Sequence, residues 1–116
     1  MKNSEVGKAK AEPMVRDYGY GEITLYPQEQ EGNYNFHVRP MVTRGFQSLF
    51  GDLTVLLVQN CLTMIDECYE KPDYLQVFSY EGTKFYCIAE FERGAVAYDY
   101  EGIPYLYVTF LLPEER

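Results

Sequence analysis

Residues 52–69 read DLTVLLVQNCLTMIDECY. Every third or fourth position collects Leu53, Leu56, Leu57, Cys61, Met64, Ile65 and Cys68 on one broad stripe, the spacing of an amphipathic helix laid on a core. Asp52, after Gly51, is placed to cap the first amides of this helix. Pro72 stops it just past Glu70 and Lys71, because proline lacks the helical N–H and biases the residue before it away from helical angles. No other stretch predicts a long helix, so the remaining apolar residues have to supply a sheet to cover it.

Downstream the period changes to two. Residues 74–80 (YLQVFSY) and 83–92 (TKFYCIAEFE) flank Glu81 and Gly82 as a tight hairpin. Turns at Arg93 and Gly94 and at Glu101 and Gly102 then separate predicted strands over 95–100 and 104–112. Such short connections make an antiparallel meander. Alternation turns Leu106, Val108, Phe110 and Leu112 toward the helix and leaves Tyr74, Tyr80, Tyr105 and Tyr107 on the second face of the sheet. Upstream, 22–26 (EITLY) and 33–38 (NYNFHV) predict an N-terminal hairpin around the polar 28–33 (QEQEGN). Residues 1–17, polar and broken by Pro13, read as a flexible leader. Residues 18–116 then form a single α+β domain, one main amphipathic helix packed on an antiparallel β-sheet.

The 116 residues hold 18 acidic and 10 basic side chains, a formal charge of −8. Residues 1–16 carry four basic and two acidic groups, so the remainder holds six and sixteen and stands at −10. A body this acidic repels phosphate backbones and anionic lipid, which argues against direct nucleic-acid or membrane binding and for a protein partner with a basic surface. Tyrosine is abundant, with 12 residues and no tryptophan, and offers rigid contact area at low entropic cost. Asp66, Glu67 and Glu70 fall in the last turns of the helix, where its dipole disfavours each exposed anion by about 0.3–1 kcal/mol. They form, with Tyr74, Tyr80, Glu90, Glu92, Tyr105 and Tyr107, the candidate partner-binding set. Neutralisation of the helix end by Lys71 or Arg93 is the structural alternative, and cross-strand pairing or a homodimer interface is the alternative for the tyrosines.

Chemistry-bearing patterns are sparse. Cys61, Cys68 and Cys87 are odd in number with no CxxC spacing and read as buried thiols of a reducing, cytoplasmic protein. The one histidine, His37, has no predicted nucleophile beside it, so it reads as an ordinary strand residue. Neither a phosphate-cradling glycine loop nor a metal-ligand set is discernible, so no cofactor is expected and no enzyme is predicted. A signal peptide and an apolar run of membrane-spanning length are not expected either.

Three segments, VTRGF at 42–46, DYLQVF at 73–78 and LLPEE at 111–115, in that order around one helix, resemble a family of short uncharacterised proteins. That family, a domain of unknown function, comes from Gram-positive bacteria and their plasmids and phages. The resemblance covers about 41–116, and residues 1–40 have no counterpart in it. It names no catalytic residue. What it implies is a mobile-element accessory protein, a class in which anti-CRISPR and anti-restriction inhibitors recur. A structural or regulatory homo-oligomer is the other expectation.

Overall fold

Helix formation starts earlier than the 52–69 pattern places it. In the computed structural model, which describes residues 12–96, 98, 100–102 and 106–116, Thr43 is the N-cap and its hydroxyl oxygen accepts from the Phe46 N–H at 3.2 Å. Helix α1 (Arg44–Phe50) runs through a 3₁₀ turn (Gly51–Leu53) into helix α2 (Thr54–Cys68). Asp52 therefore lies inside a continuous helical span and caps nothing. Phe46 and Phe50 set the helical phase, and the buried positions continue through Thr54, Leu57, Val58, Cys61, Met64 and Ile65. Leu56, expected on the stripe, is instead 49% exposed. The Arg44–Cys68 span is long and apolar enough by composition to cross a membrane, against the expectation that no such run exists. In the fold its buried positions pack against the sheet.

The strands are β1 (Met14–Asp17), β2 (Glu22–Tyr26) and β3 (Arg39–Val42) before the helices, then β4 (Leu75–Tyr80), β5 (Thr83–Ala89) and β6 (Tyr107–Leu111) after them. They form one sheet in the order β1-β2-β4-β5-β6-β3, antiparallel except for the parallel pair of β3 and β6, in which Arg39 opposes Tyr107 and Val42 opposes Phe110. The α+β architecture and the 75–89 hairpin follow the sequence pattern. At the hairpin tip both central residues have positive φ, 48° at Glu81 and 85° at Gly82, the geometry whose twist matches the flanking strands.

Three sequence expectations differ from the structure. The N-terminal hairpin pairs β2 with β1, so residues 14–17, expected as leader, are a sheet strand. Residues 33–38, the expected partner, contribute one bridge, Tyr34 to Glu92. Their backbone is used elsewhere, with Tyr34 N–H donating to Pro72 O at 2.9 Å and Asn35 N–H to Phe91 O at 3.1 Å. Beside β5, where the strand expected at 95–100 would pair, stands β6, and of the described residues in that stretch Tyr98 alone makes a bridge. Ala95 and Val96 are in no strand, and residues 97 and 99 lie outside the described set.

Period-two alternation then decides the core. Ile23, Leu25, Gln76, Phe78, Phe85, Cys87, Val108 and Phe110 are fully buried under the helices. The Phe85 ring stacks on Phe78 at 5.5 Å and meets Phe46 edge-on at 5.1 Å, an arrangement that adds about 0.5–1.5 kcal/mol per pair to area burial. Cys61 and Cys87 are both in this core, where burial pushes their thiols well above the ordinary range, so they pack as small hydrophobes.

Candidate functional site

Helix α2 delivers Asp66 and Glu67 to its C-terminal turn, with Glu70 just beyond. Two other segments converge there. Residues 28–31 lie along 69–76, held by Gln30, whose side-chain oxygen accepts from the Asp73 N–H at 2.6 Å and from Gln76 Nε2 at 2.9 Å. Gln76, fully buried, also donates to the Asp73 carbonyl at 3.0 Å. Residues 90–93 are stitched to 33–35, with Arg93 N–H on Asn33 O at 2.9 Å. Gly32 allows the close approach, since a Cβ there would stand 2.7 Å from both Asp73 Oδ1 and the Tyr34 ring.

The result is an acidic end. Glu29, Glu31, Glu70, Glu90 and Glu92 are exposed there beside Asp66, Glu67 and Asp73, with Lys71, Arg93 and His37 as the neighbouring bases. Asp66 pairs with His37 Nε2 at 3.0 Å and Glu67 with Arg16 at 3.9 Å, all four side chains about half exposed. Pairs so wet contribute little. Neither Lys71 nor Arg93 forms an ion pair with the helix end among the described residues, although Arg93 lines the same small pocket as Asp66, and His37 is an exposed loop residue, not a strand residue. Tyr69 closes the inner side of this end, its hydroxyl pushed up to about 12 by burial.

The candidate set is thus divided. Asp66, Glu67, Glu70, Glu90, Glu92 and Tyr74 share the acidic end, where the Tyr74 ring sits 6.0 Å from Tyr34 and its hydroxyl accepts from Arg116 at 3.3 Å. Tyr80 does not belong to the second face. It shares alternation with Phe78, packs edge-on against Phe50 at 5.9 Å and donates to the Tyr20 carbonyl, so its ring completes the core. Tyr107 is half-buried on β6, and Tyr105 lies outside the described residues. Glu29, Glu31 and Asp73 carry no site signal in the sequence, because 28–33 reads as a turn and only the half-buried Gln30 contact carries it to the helix end.

The second face of the sheet is apolar in character. Tyr26 opposes Val77, Val77 opposes Tyr86, and Tyr86 opposes Leu111. Cations lie on its aromatic ring, with Lys84 Nζ 5.5 Å and the Arg116 guanidinium 5.6 Å from the Tyr86 centroid. Tyr26 and Met41 are exposed to 37% and 45%.

A different carboxylate fastens the opposite end. Glu115, in a 3₁₀ turn (Pro113–Glu115), accepts from the Leu112 N–H at 2.9 Å, the Gly45 N–H at 3.1 Å and the Thr43 hydroxyl. The Thr43 hydroxyl bond, with those two amides, holds the carboxyl below its ordinary value of 4.5. The VTRGF and LLPEE segments meet here. A Cβ at position 45 would meet the Glu115 carboxylate, which would have to shift.

No family model, curated protein or solved structure matches the chain. The family resemblance rests on its three segments alone. Two of these build the Glu115 clamp, and the third supplies Gln76 and the core ring of Phe78.

Proposed function

We propose that this protein is a non-enzymatic binding protein whose acidic end docks on a basic surface of a protein partner. The observation that carries the reading is the convergence of the α2 C-terminus, residues 28–31 and residues 90–93, which gathers carboxylates that have no hydrogen-bond or ion-pair partner among the described residues at Glu29, Glu31, Glu70 and Glu90. Like charges held together cost stability, and a cationic surface relieves that cost on binding. In the sharpest version, drawn from the family resemblance, the partner is a Cas9-type or other nucleic-acid enzyme of a host defence system. The carboxylates would then stand where phosphates lie, in the cytoplasm of a Gram-positive host, as in anti-CRISPR or anti-restriction inhibition.

Bait capture from a lysate containing such an effector with its guide RNA tests this. Expected is stoichiometric capture that weakens steeply with salt and is lost in a Glu70→Lys, Glu90→Lys variant. Retention of no nucleic-acid enzyme even at low salt would overturn the inhibitor version.

The second reading is a homo-oligomer formed through the apolar sheet face, favoured by the exposed Tyr26 and Met41. Sedimentation across a concentration series separates the two, because a mass that doubles and is reset by Val77→Lys belongs to the oligomer.

A further inference from the structure

At the far end of α2 from the acidic cluster, the start of the helix and the outer edge of β3 enclose a groove of about 460 Å³, within the range of roughly 300–1,000 Å³ typical of small-molecule sites. Val42 and Val58 give it an apolar wall, and Gln47, Gln59 and Asp52 give it polar groups. Two of its residues are left with unmet capacity. Asp52, expected as a helix cap, is exposed and has no hydrogen-bond or ion-pair partner among the described residues. Thr54 is 7% exposed, and its hydroxyl oxygen has no hydrogen-bond partner, a condition that native structures rarely leave unfilled.

These features select one chemistry. The Asp52 carboxylate disfavours anions, and no cationic side chain among the described residues lines the groove, so phosphates and carboxylates are poor ligands for it. One carboxylate without further metal ligands does not hold a divalent ion, in keeping with the absence of any metal-competent cluster among the described residues. Amide oxygens suit N–H donors, and the valines suit a methylene chain.

We propose that the groove binds a short aliphatic chain with one cationic head, a guanidinium or an ammonium. The head rests on Asp52 and the glutamine oxygens and the chain on Val42 and Val58. The Thr54 oxygen is itself shut off from solvent; a rotation of about 120° in χ1 moves it to another of the three staggered positions, from which it can reach the head. The site is independent of the acidic end, so either can fail alone.

The test is a titration of isotopically labelled protein with n-butylguanidinium, followed by amide chemical shifts. Expected are saturable shifts at the Gln47 and Gln59 side chains and at Gly51 and Val55. Asp52→Asn should weaken binding at least tenfold and Thr54→Val several-fold. Neither n-butyrate, with the opposite charge, nor guanidinium, without the chain, should reproduce the shifts at equal concentration. Because Asp52 is exposed and caps nothing, its variant keeps the fold and the test stays decisive if Thr54→Val does not. Non-saturable shifts, equal shifts with n-butyrate, or an Asp52→Asn variant that binds like the parent would overturn the proposal. An acetyl-Gly-Arg-Gly-amide peptide that displaces n-butylguanidinium assigns the head to a protein side chain; one that cannot assigns it to a free amine.

Discussion

Glu115 and Glu70 carry the same carboxylate at opposite poles of the helical span. Glu115 lies at the N-terminal pole, where its negative charge meets unpaired amides and the favourable end of the dipole, and accepts three hydrogen bonds. Glu70 lies past the C-terminal pole, where the dipole opposes it, and it has no partner among the described residues. The difference teaches which acids hold the fold and which are held in place by it. Charge at the clamp lowers the energy of the native state; charge at the acidic end raises it, a cost that counterions or a cationic surface would offset.

The contrast breaks most severely if the clamp goes. Thr43→Val removes the cap of α1 and a donor to Glu115 together, and a loss of about 1–2 kcal/mol in urea unfolding is expected. Gly45→Ala should push the Glu115 carboxylate off its donors and make the acid-side loss of stability shallower; a pH dependence identical to the parent's would refute the clamp. By contrast, Glu70→Gln and Glu90→Gln should leave stability within about 0.5 kcal/mol while reducing salt-sensitive capture of a basic partner.

A pH series sharpens the same comparison. The carboxyl of Glu115 is depressed in the folded state below 4.5 and that of Asp17 below 3.8, the latter by the Gly19 and Gly21 amides. Each therefore contributes stability that is fully present above its unfolded value and is lost as pH falls through the lower folded value. Stability should decline below about pH 4.5, and Glu115→Gln should make that decline shallower. An unchanged slope would mean that the carboxylate contributes nothing as an anion. A comparably small effect is expected at His37→Gln, which removes a half-exposed pair with Asp66 and should change stability by less than about 1 kcal/mol.

These contrasts were only partly legible in the sequence. Local signals sufficed for the 75–89 hairpin, because Glu81 and Gly82 and the alternation around them are read within a dozen residues. Pro72 likewise stopped the helix where expected. Non-local bonds were not readable in this way. Thr43 takes the cap from Asp52, and the sheet draws β1 out of an apparent leader. Phase was lost for the same reason: Tyr80 looked exposed until its alternation with Phe78 was anchored by Phe50. For the acidic end, Asp66, Glu67 and Glu70 are visible as misplaced charge and Glu90 and Glu92 as strand acids near the tyrosines, while Glu29, Glu31 and Asp73 are not, since a buried glutamine contact leaves no periodic trace.

The parallel pairing of β3 with β6 has a consequence for the order of assembly. Arg39 opposes Tyr107, so strand β3 and the cap of α1 cannot be completed until residues 107–115 have left the ribosome. Synthesis at about 5–20 residues per second makes that a wait of several seconds. Strands β1, β2, β4 and β5 and helix α2 can meanwhile close around the phenylalanine cluster. Translation that stalled before residue 107 would leave β5 as an open edge and Val42 unpaired, a species prone to self-association through its backbone.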